Sequence, residues 1–330
     1  MTRSLRMLLV AGAVVAIAIL AWLIRNDSAI RPSKVVIAEG TQPIAAPIYV
    51  AYMKGYFKDE GVNVELVSFP TGKLCLDALI GGNADFATVA ETPIMHASFK
   101  PVPIKIVATM HRSRRNTFCV ARKDQGINAP SDLKGKTVAV PLGTNAEYAL
   151  GTFLAKNKLH PSDLKLINLS PPEMIGPITR GDVAAVVGWQ PHIGRCERAL
   201  GDNGVPFSFD QVYEETYNLV TNTTMTTTRK ETVTQVLRAL DRAVAYMAGH
   251  RSEAIDIVAD RIGMTRKELE QLWPIYNFGL DLRSSLLDTL AQQAQWAIDK
   301  GDHVGPIPNM RSIVSAAALR EVRPQAIELP

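Results

Sequence analysis

The order of apolar runs along this chain predicts an α/β protein built as two lobes, preceded by an N-terminal hydrophobic helix. Three observations carry that expectation. Short β-branched runs alternate with helical patterns from Lys34 to about Phe209, the signature of βαβ units and mainly parallel sheets. Roughly 300 residues follow the first apolar run, too many for one compact core and well suited to two. Beyond Thr221 the pattern turns wholly helical.

The elements follow in order. Arg3 and Arg6 precede an apolar run from Met7 to Ile24, closed by Arg25 and the polar Asn26-Asp27-Ser28. About 18 apolar residues reach the lower limit for a membrane span and are long for a cleavable signal core. The run reads as a signal-anchor that exports the rest of the chain and holds it at the inner membrane, with cleavage as the alternative. Strands are expected at 35–38, 62–68, 85–89, 104–109, 117–122, 137–140, 166–169, 184–187 and 206–209, and a last one at 217–221. Helices are expected between them at 47–57, 74–81, 93–99, 146–156, 171–179 and 191–200. Thr92-Pro93 places a cap before proline at the first helical turn, and Ser170-Pro171-Pro172-Glu173 reads as a capping box. Four further helices are expected at 229–249, 252–263, 266–272 and 284–300.

Composition excludes several functions. The chain has 36 basic and 32 acidic residues, and Arg3, Arg6 and Arg25 belong to the apolar segment, which leaves 33 against 32. No basic face argues for nucleic acid. Cys75, Cys119 and Cys196 sit apart in apolar surroundings and read as buried thiols, not as a disulfide or metal framework. The six histidines show no metal-ligand spacing, and no nucleophile elbow, phosphate loop or zinc-protease helix is present. The expectation is a binding protein with no catalytic residues, no metal and no cofactor.

Ligands of open α/β sheets sit outside the carboxyl ends of the strands. That rule selects Glu39–Pro43, Ala90–Pro93, Pro141–Asn145 and Gly188–Pro191, each leading into a helix. The most informative is Val140-Pro141-Leu142-Gly143-Thr144-Asn145-Ala146-Glu147. Thr144 and Glu147 have capping-box spacing, Gly143 lets a ligand approach the backbone, and the helix start favours an anion. The candidate ligand-binding residues are therefore Gln42, Glu91, Thr92, Gly143, Thr144, Asn145, Trp189 and Gln190. Each has a plainer alternative: Gln42 in a polar loop, Thr92 as an N-cap, Trp189 as a core residue. Glu91 repels an anion but suits an ammonium group. Arg112, Arg114 and Arg115 read as a solvated turn or as partners of an anion, Tyr148 as packing or as cleft-lining, and His192 as a surface residue.

Several motifs carry a family resemblance. They are Ala46-Pro47-Ile48-Tyr49-Val50-Ala51 with Lys54-Gly55-Tyr56-Phe57 and Gly61-Val62, then Gly72 with Leu76-Asp77-Ala78-Leu79 and Gly82-Asn83-Ala84-Asp85. They continue with Asp132-Leu133-Lys134-Gly135-Lys136 before Val138-Ala139-Val140, and end with Gly181-Asp182-Val183-Ala184-Ala185 and Trp189-Gln190-Pro191. In order and spacing they resemble the periplasmic substrate-binding proteins of ABC importers, in the nitrate, sulfonate and taurine branch related to the NMT1/THI5-like domain. The resemblance implies a two-lobed type II periplasmic-binding-protein fold, with residues 35–121 plus 218–330 in one lobe and 122–217 in the other. It also implies a monomer that captures a small anionic or zwitterionic solute by hinge closure and delivers it to permease subunits. A membrane-anchored ligand sensor on the same fold is the alternative. The retained span and Gln190, where the family often has an acid, depart from the pattern.

Overall fold

The computed structural model describes residues 33–329. The hydrophobic helix expected over residues 1–33 falls, but for Ser33, outside them. Among the described residues no helix is long and apolar enough to cross a membrane.

Two sheets form, each around its own apolar core. The first has seven strands, with β1 (Ser33–Gly40), β2 (Val62–Phe69), β3 (Phe86–Ala90), β4 (Ile104–Ser113), β10 (Glu215–Asn222), β11 (Asn277–Arg283) and β12 (Ile327–Glu328) in the order β12-β11-β4-β10-β3-β1-β2. The second has five, with β5 (Thr117–Arg122), β6 (Thr137–Val140), β7 (Lys165–Asn168), β8 (Ala185–Trp189) and β9 (Gly204–Ser208) in the order β7-β6-β8-β5-β9. Strand β3 is buried at every position, as a central strand covered on both faces must be, whereas β2 alternates as an edge strand does.

The sheets are mixed, which corrects the expectation of mostly parallel ones. Strand β1 pairs parallel to β3, and β6 pairs parallel to β7 and β8. The antiparallel pairs centre on β10, against β3 and β4, and on β5, against β8 and β9. These are the strands through which the chain passes between sheets. A segment entering a sheet from its neighbour runs against strands that leave toward that neighbour. Strand β5 lies wholly in the second sheet and β10 wholly in the first, so the chain passes between the sheets over 114–116 and again over 209–214.

Two further differences have local causes. The helix expected over 47–57 splits into Ala46–Met53 and Tyr56–Asp59, because Gly55 takes a left-handed conformation at φ 74°. The region after Thr221 is not wholly helical, since β11 joins the first sheet antiparallel to β4. Phe278, Leu280 and Leu282 alternate in that segment, a period of two overshadowed by the long helices on either side. Those helices, Lys230–Gly249 and Ser284–Asp299, pack apolar faces on the first core.

Candidate functional site

Loops at the carboxyl ends of strands from both sheets enclose a cavity of about 20 Å3, lined by Gln42, Ile44, Thr71, Gly72, Lys73, Ala90, Pro93, Asn116, Thr144, Asn145, Trp189, Glu215 and Tyr217. That is room for about one water-sized group. A larger molecule enters only if the two sheets part.

Three helices begin at its wall. Helix Gly72–Ile80 is capped by Thr71, whose Oγ1 accepts from Leu74 N at 3.3 Å. A side chain at Gly72 would put Cβ 3.0 Å from Val89 Cα, so only glycine lets this helix start lie against β3. Helix Glu91–Ser98 follows β3 directly. Helix Asn145–Lys156 is capped by Thr144, which accepts from Ala146 N at 3.3 Å and donates to the Pro141 carbonyl at 2.6 Å. The reciprocal capping box expected there is replaced by another arrangement, in which the Glu147 carboxylate accepts from Gly143 N at 2.7 Å. The box at Ser170 and Glu173 does form, on a short 3-10 turn.

The site's electrostatics centre on Glu215, which is 2 % exposed. Its carboxyl group accepts from Asn116 Nδ2 at 2.6 Å, Thr117 Oγ1 at 2.6 Å and Asn145 Nδ2 at 3.1 Å. Burial raises its pKa to about 8, with a smaller push from the Glu91 charge. His111 Nε2 lies 3.8 Å away, but burial holds that imidazole down to about 3, so at neutral pH this approach is not an ion pair. Lys73 supplies a positive charge at the rim, half-exposed and 3.7 Å from Asp77. Two buried polar atoms of the lining, Trp189 Nε1 and Asn116 Oδ1, have no hydrogen-bond partner among the described residues.

Of the expected ligand residues, Gln42, Thr144, Asn145 and Trp189 come together here. Trp189 also packs in the second core, so both of its readings describe the same ring. The others do not line the cavity. Glu91 is fully buried behind it, accepting from Tyr213 Oη, Thr216 N at 2.9 Å, Thr216 Oγ1 at 3.0 Å and Gln293 Nε2 at 2.9 Å. With four donors on its two oxygens it has no room for a ligand ammonium group. Thr92 is fully buried, Gly143 lines a separate groove of about 440 Å3 with Lys73 and His96, and the Gln190 side chain lies over Gly194. Arg112 pairs with Asp281 and Arg114 with Glu214, and neither they nor the exposed Arg115 line the cavity. Tyr148 packs edge-on against Tyr213 and Trp296.

Sequence reasoning missed Thr71, Gly72, Lys73, Asn116, Glu215 and Tyr217. The strand-end rule applied to β2 finds the first three. Asn116 closes the arginine run, and Glu215 stands beside Glu214 just ahead of the strand expected at 217–221, with nothing local to single it out.

Comparison with known proteins agrees with this architecture. An aliphatic sulfonates-binding protein of Bacillus subtilis, so named, is 25% identical over 241 residues, 71% of this chain and 71% of that protein. The taurine-binding periplasmic protein of Escherichia coli is 28% identical over 158 residues, 48% of this chain and 49% of that protein. Among solved structures, the alkanesulfonate-binding protein SsuA of Xanthomonas axonopodis bound to MOPS superposes with a TM-score of 0.76 at 18% identity, over 87% of this chain and 99% of that one. The nitrate-binding protein NrtA of Synechocystis gives 0.69 at 16% identity, over 88% of each. The model of one family, described as NMT1/THI5 like, matches residues 42–254, from the cavity-lining Gln42 through both sheets, and the chain belongs to that family.

Proposed function

We propose that this protein is the solute-binding component of an ABC importer, capturing a small anionic or zwitterionic solute of the sulfonate, taurine or nitrate class. One observation carries the reading: Gln42, Thr71 and Lys73 from the first sheet's loops and Thr144, Asn145 and Trp189 from the second line one cavity, with helix starts at its wall. Helix starts present free backbone N–H groups and positive dipole ends, which suit an oxyanion. The relatives named above supply the solute class.

The lobes are residues 34–113 with 215–329, and residues 117–208. Segments 114–116 and 209–214 serve as the hinge. Ligand-driven closure about such a hinge is a shift between open and closed populations, and the closed form is what permease subunits engage. The ligand-binding residues are Gln42, Thr71, Lys73, Asn116, Thr144, Asn145, Trp189 and Glu215. The basic-flanked apolar run from Met7 to Ile24 supports export, with retention at the inner membrane.

A thermal-shift series on the full chain in detergent tests this. Ligand at 100 times its dissociation constant adds about 2.7 kcal/mol, which moves the midpoint by several degrees. A shift with taurine, ethanesulfonate or nitrate is the expected result. Silence from all three in a folded protein rejects the reading.

A further inference from the structure

Two groups on the cavity wall find no use in a site for a simple anion. Glu215 is an acid, buried, and without a lysine or arginine partner among the described residues. Beside it, Asn116 commits its Nδ2 to Glu215 at 2.6 Å and leaves Oδ1 buried with no donor among them. Two acceptors thus lie together on the lining. Close by, across the pairing of Thr117 in β5 with Trp189 in β8, Trp189 Nε1 is a buried donor with no acceptor among the described residues, and the helix capped by Thr144 begins with Asn145 against Glu215. A buried polar group left unmet is costly, so the ligand that fits supplies a donor to the two acceptors and an oxyanion to the indole N–H and helix start beside them.

We propose that Glu215, with Asn116, selects ligands bearing an ammonium group beside the anionic end, so that the site takes an aminosulfonate-type zwitterion in preference to a simple anion. The inference rests on the solute-binding reading above and narrows it. An ammonium group has three N–H donors and no acceptor, which matches a carboxylate and an amide oxygen. The sequence assigned this task to Glu91, but the four donors on that carboxylate take it out of use, and Glu215 is the acid that reaches the cavity.

Binding then moves a proton. The groups facing Glu215 are His111 from β4, Asn116 and Thr117 at the start of β5, and Asn145 from the capped helix. Glu91, Tyr213 and Tyr276 also act on it or feel its charge. None of them is a cation at neutral pH, since burial keeps His111 neutral. The free site therefore holds Glu215 largely as the acid at pH 7. When a ligand ammonium arrives, the carboxyl proton leaves to buffer and the carboxylate pairs with the ligand N–H groups.

Calorimetry on the full chain in detergent tests this with taurine against ethanesulfonate and 3-aminopropanesulfonate against propanesulfonate. Titrations at pH 7 run in two buffers of different ionisation heat. Wild-type protein is expected to favour each amino member roughly tenfold or more and to release close to one proton per taurine, with none for ethanesulfonate. Glu215→Gln should erase the proton release and bring the affinity ratio within each pair to about one, whatever happens to the affinities themselves. Equal affinity within each pair, absence of proton release, or an undiminished preference in E215Q overturns the proposal and leaves the sulfonate reading standing. If E215Q does not fold, the wild-type proton count decides. Silence of folded wild type toward all four sulfonates rejects both.

Discussion

Glu91 and Glu215 are both buried acids at the ends of neighbouring first-sheet strands, β3 and β10, yet their surroundings assign them opposite work. Glu91 gathers donors from Tyr213 before β10, Thr216 within it, and Gln293 on helix Ser284–Asp299, so it pins that helix to the returning strand. It is absent from the cavity lining. Glu215 lies two residues after Tyr213, at the start of β10, but opens on the cavity beside the Asn116 amide oxygen, which has no donor among the described residues. Burial alone does not separate a structural acid from a ligand-facing one. What separates them is whether the donors around the carboxyl group are complete.

The largest test of that contrast removes Glu91. Glu91→Ala leaves Tyr213 Oη, Gln293 Nε2 and Thr216 N without an acceptor, and a loss of about 3 kcal/mol or more in urea unfolding is expected. The preference for amino ligands should survive in whatever folded protein remains. A loss of preference with stability intact would reverse the roles given to the two acids. The next test acts on the helix that Glu91 pins. A Cβ at Gly151 would lie 2.8 Å from Trp296 Nε1, so the helix carrying Thr144 and Asn145 approaches helix Ser284–Asp299 only because residue 151 has no side chain. Gly151→Val is expected to oppose closure by about 2 kcal/mol, weakening ligand affinity roughly 30-fold. Unchanged affinity by calorimetry would mean that closure does not bring these helices together.

The two halves of this contrast were unequally legible in the sequence. Strands such as Thr117–Arg122 and Thr137–Val140 are marked by β-branched runs between turns, and the structure has them at those bounds. The cavity loops after β1, β6 and β8 follow from the strand-end rule, which is why Gln42, Thr144, Asn145 and Trp189 were found. Glu91 was visible for the same reason, but the residues that saturate it come from 122, 125 and 202 positions further along the chain. Glu215 carries no local signal at all. Its partners lie 70 to 99 residues away and meet only once the chain has crossed to the second sheet and returned. Short-range patterns specify elements and loops; which acid faces a ligand is decided by long-range pairing.

A pH series isolates Glu215 without mutating the ligand. Its folded pKa, raised from 4.5 to about 8, means the folded protein holds the proton longer than the unfolded chain does. Its contribution is complete below about pH 4.5 and is lost as pH rises through 8. His111 and His192, lowered from 6.5 to about 3 and about 4, act the other way, as does His96, lowered by burial, their contribution present above 6.5 and lost as pH falls. Those three contributions level off within about one pH unit above 6.5, so the decline from about pH 7.5 to 8 belongs to Glu215, at up to about 1.4 kcal/mol per pH unit. E215Q should flatten that window in ligand-free urea unfolding. A wild-type profile already flat there would place Glu215 among ordinary surface-like acids and remove the contrast with Glu91.

The smallest effect lies where the two sheets touch beside the cavity. Lys300 Nζ meets Glu147 Oε1 at 2.5 Å and Asp302 Oδ2 at 2.8 Å, while Glu147 Oε2 holds Gly143 N at 2.7 Å. A lysine following helix Ser284–Asp299 thus reaches the loop that delivers Thr144 and Asn145. Glu147 is 5 % exposed but Lys300 is 27 % exposed, so solvent screens part of the attraction. Lys300→Ala is expected to cost about 0.5–1 kcal/mol, seen as a two- to fivefold loss of ligand affinity that shrinks at high salt. In a Glu147→Gln background the same substitution should change little, because the two residues act as one contact. If Lys300→Ala costs as much in that background as alone, the lysine acts through Asp302 within its own lobe, and the closed form is held by the Trp296–Gly151 contact without it.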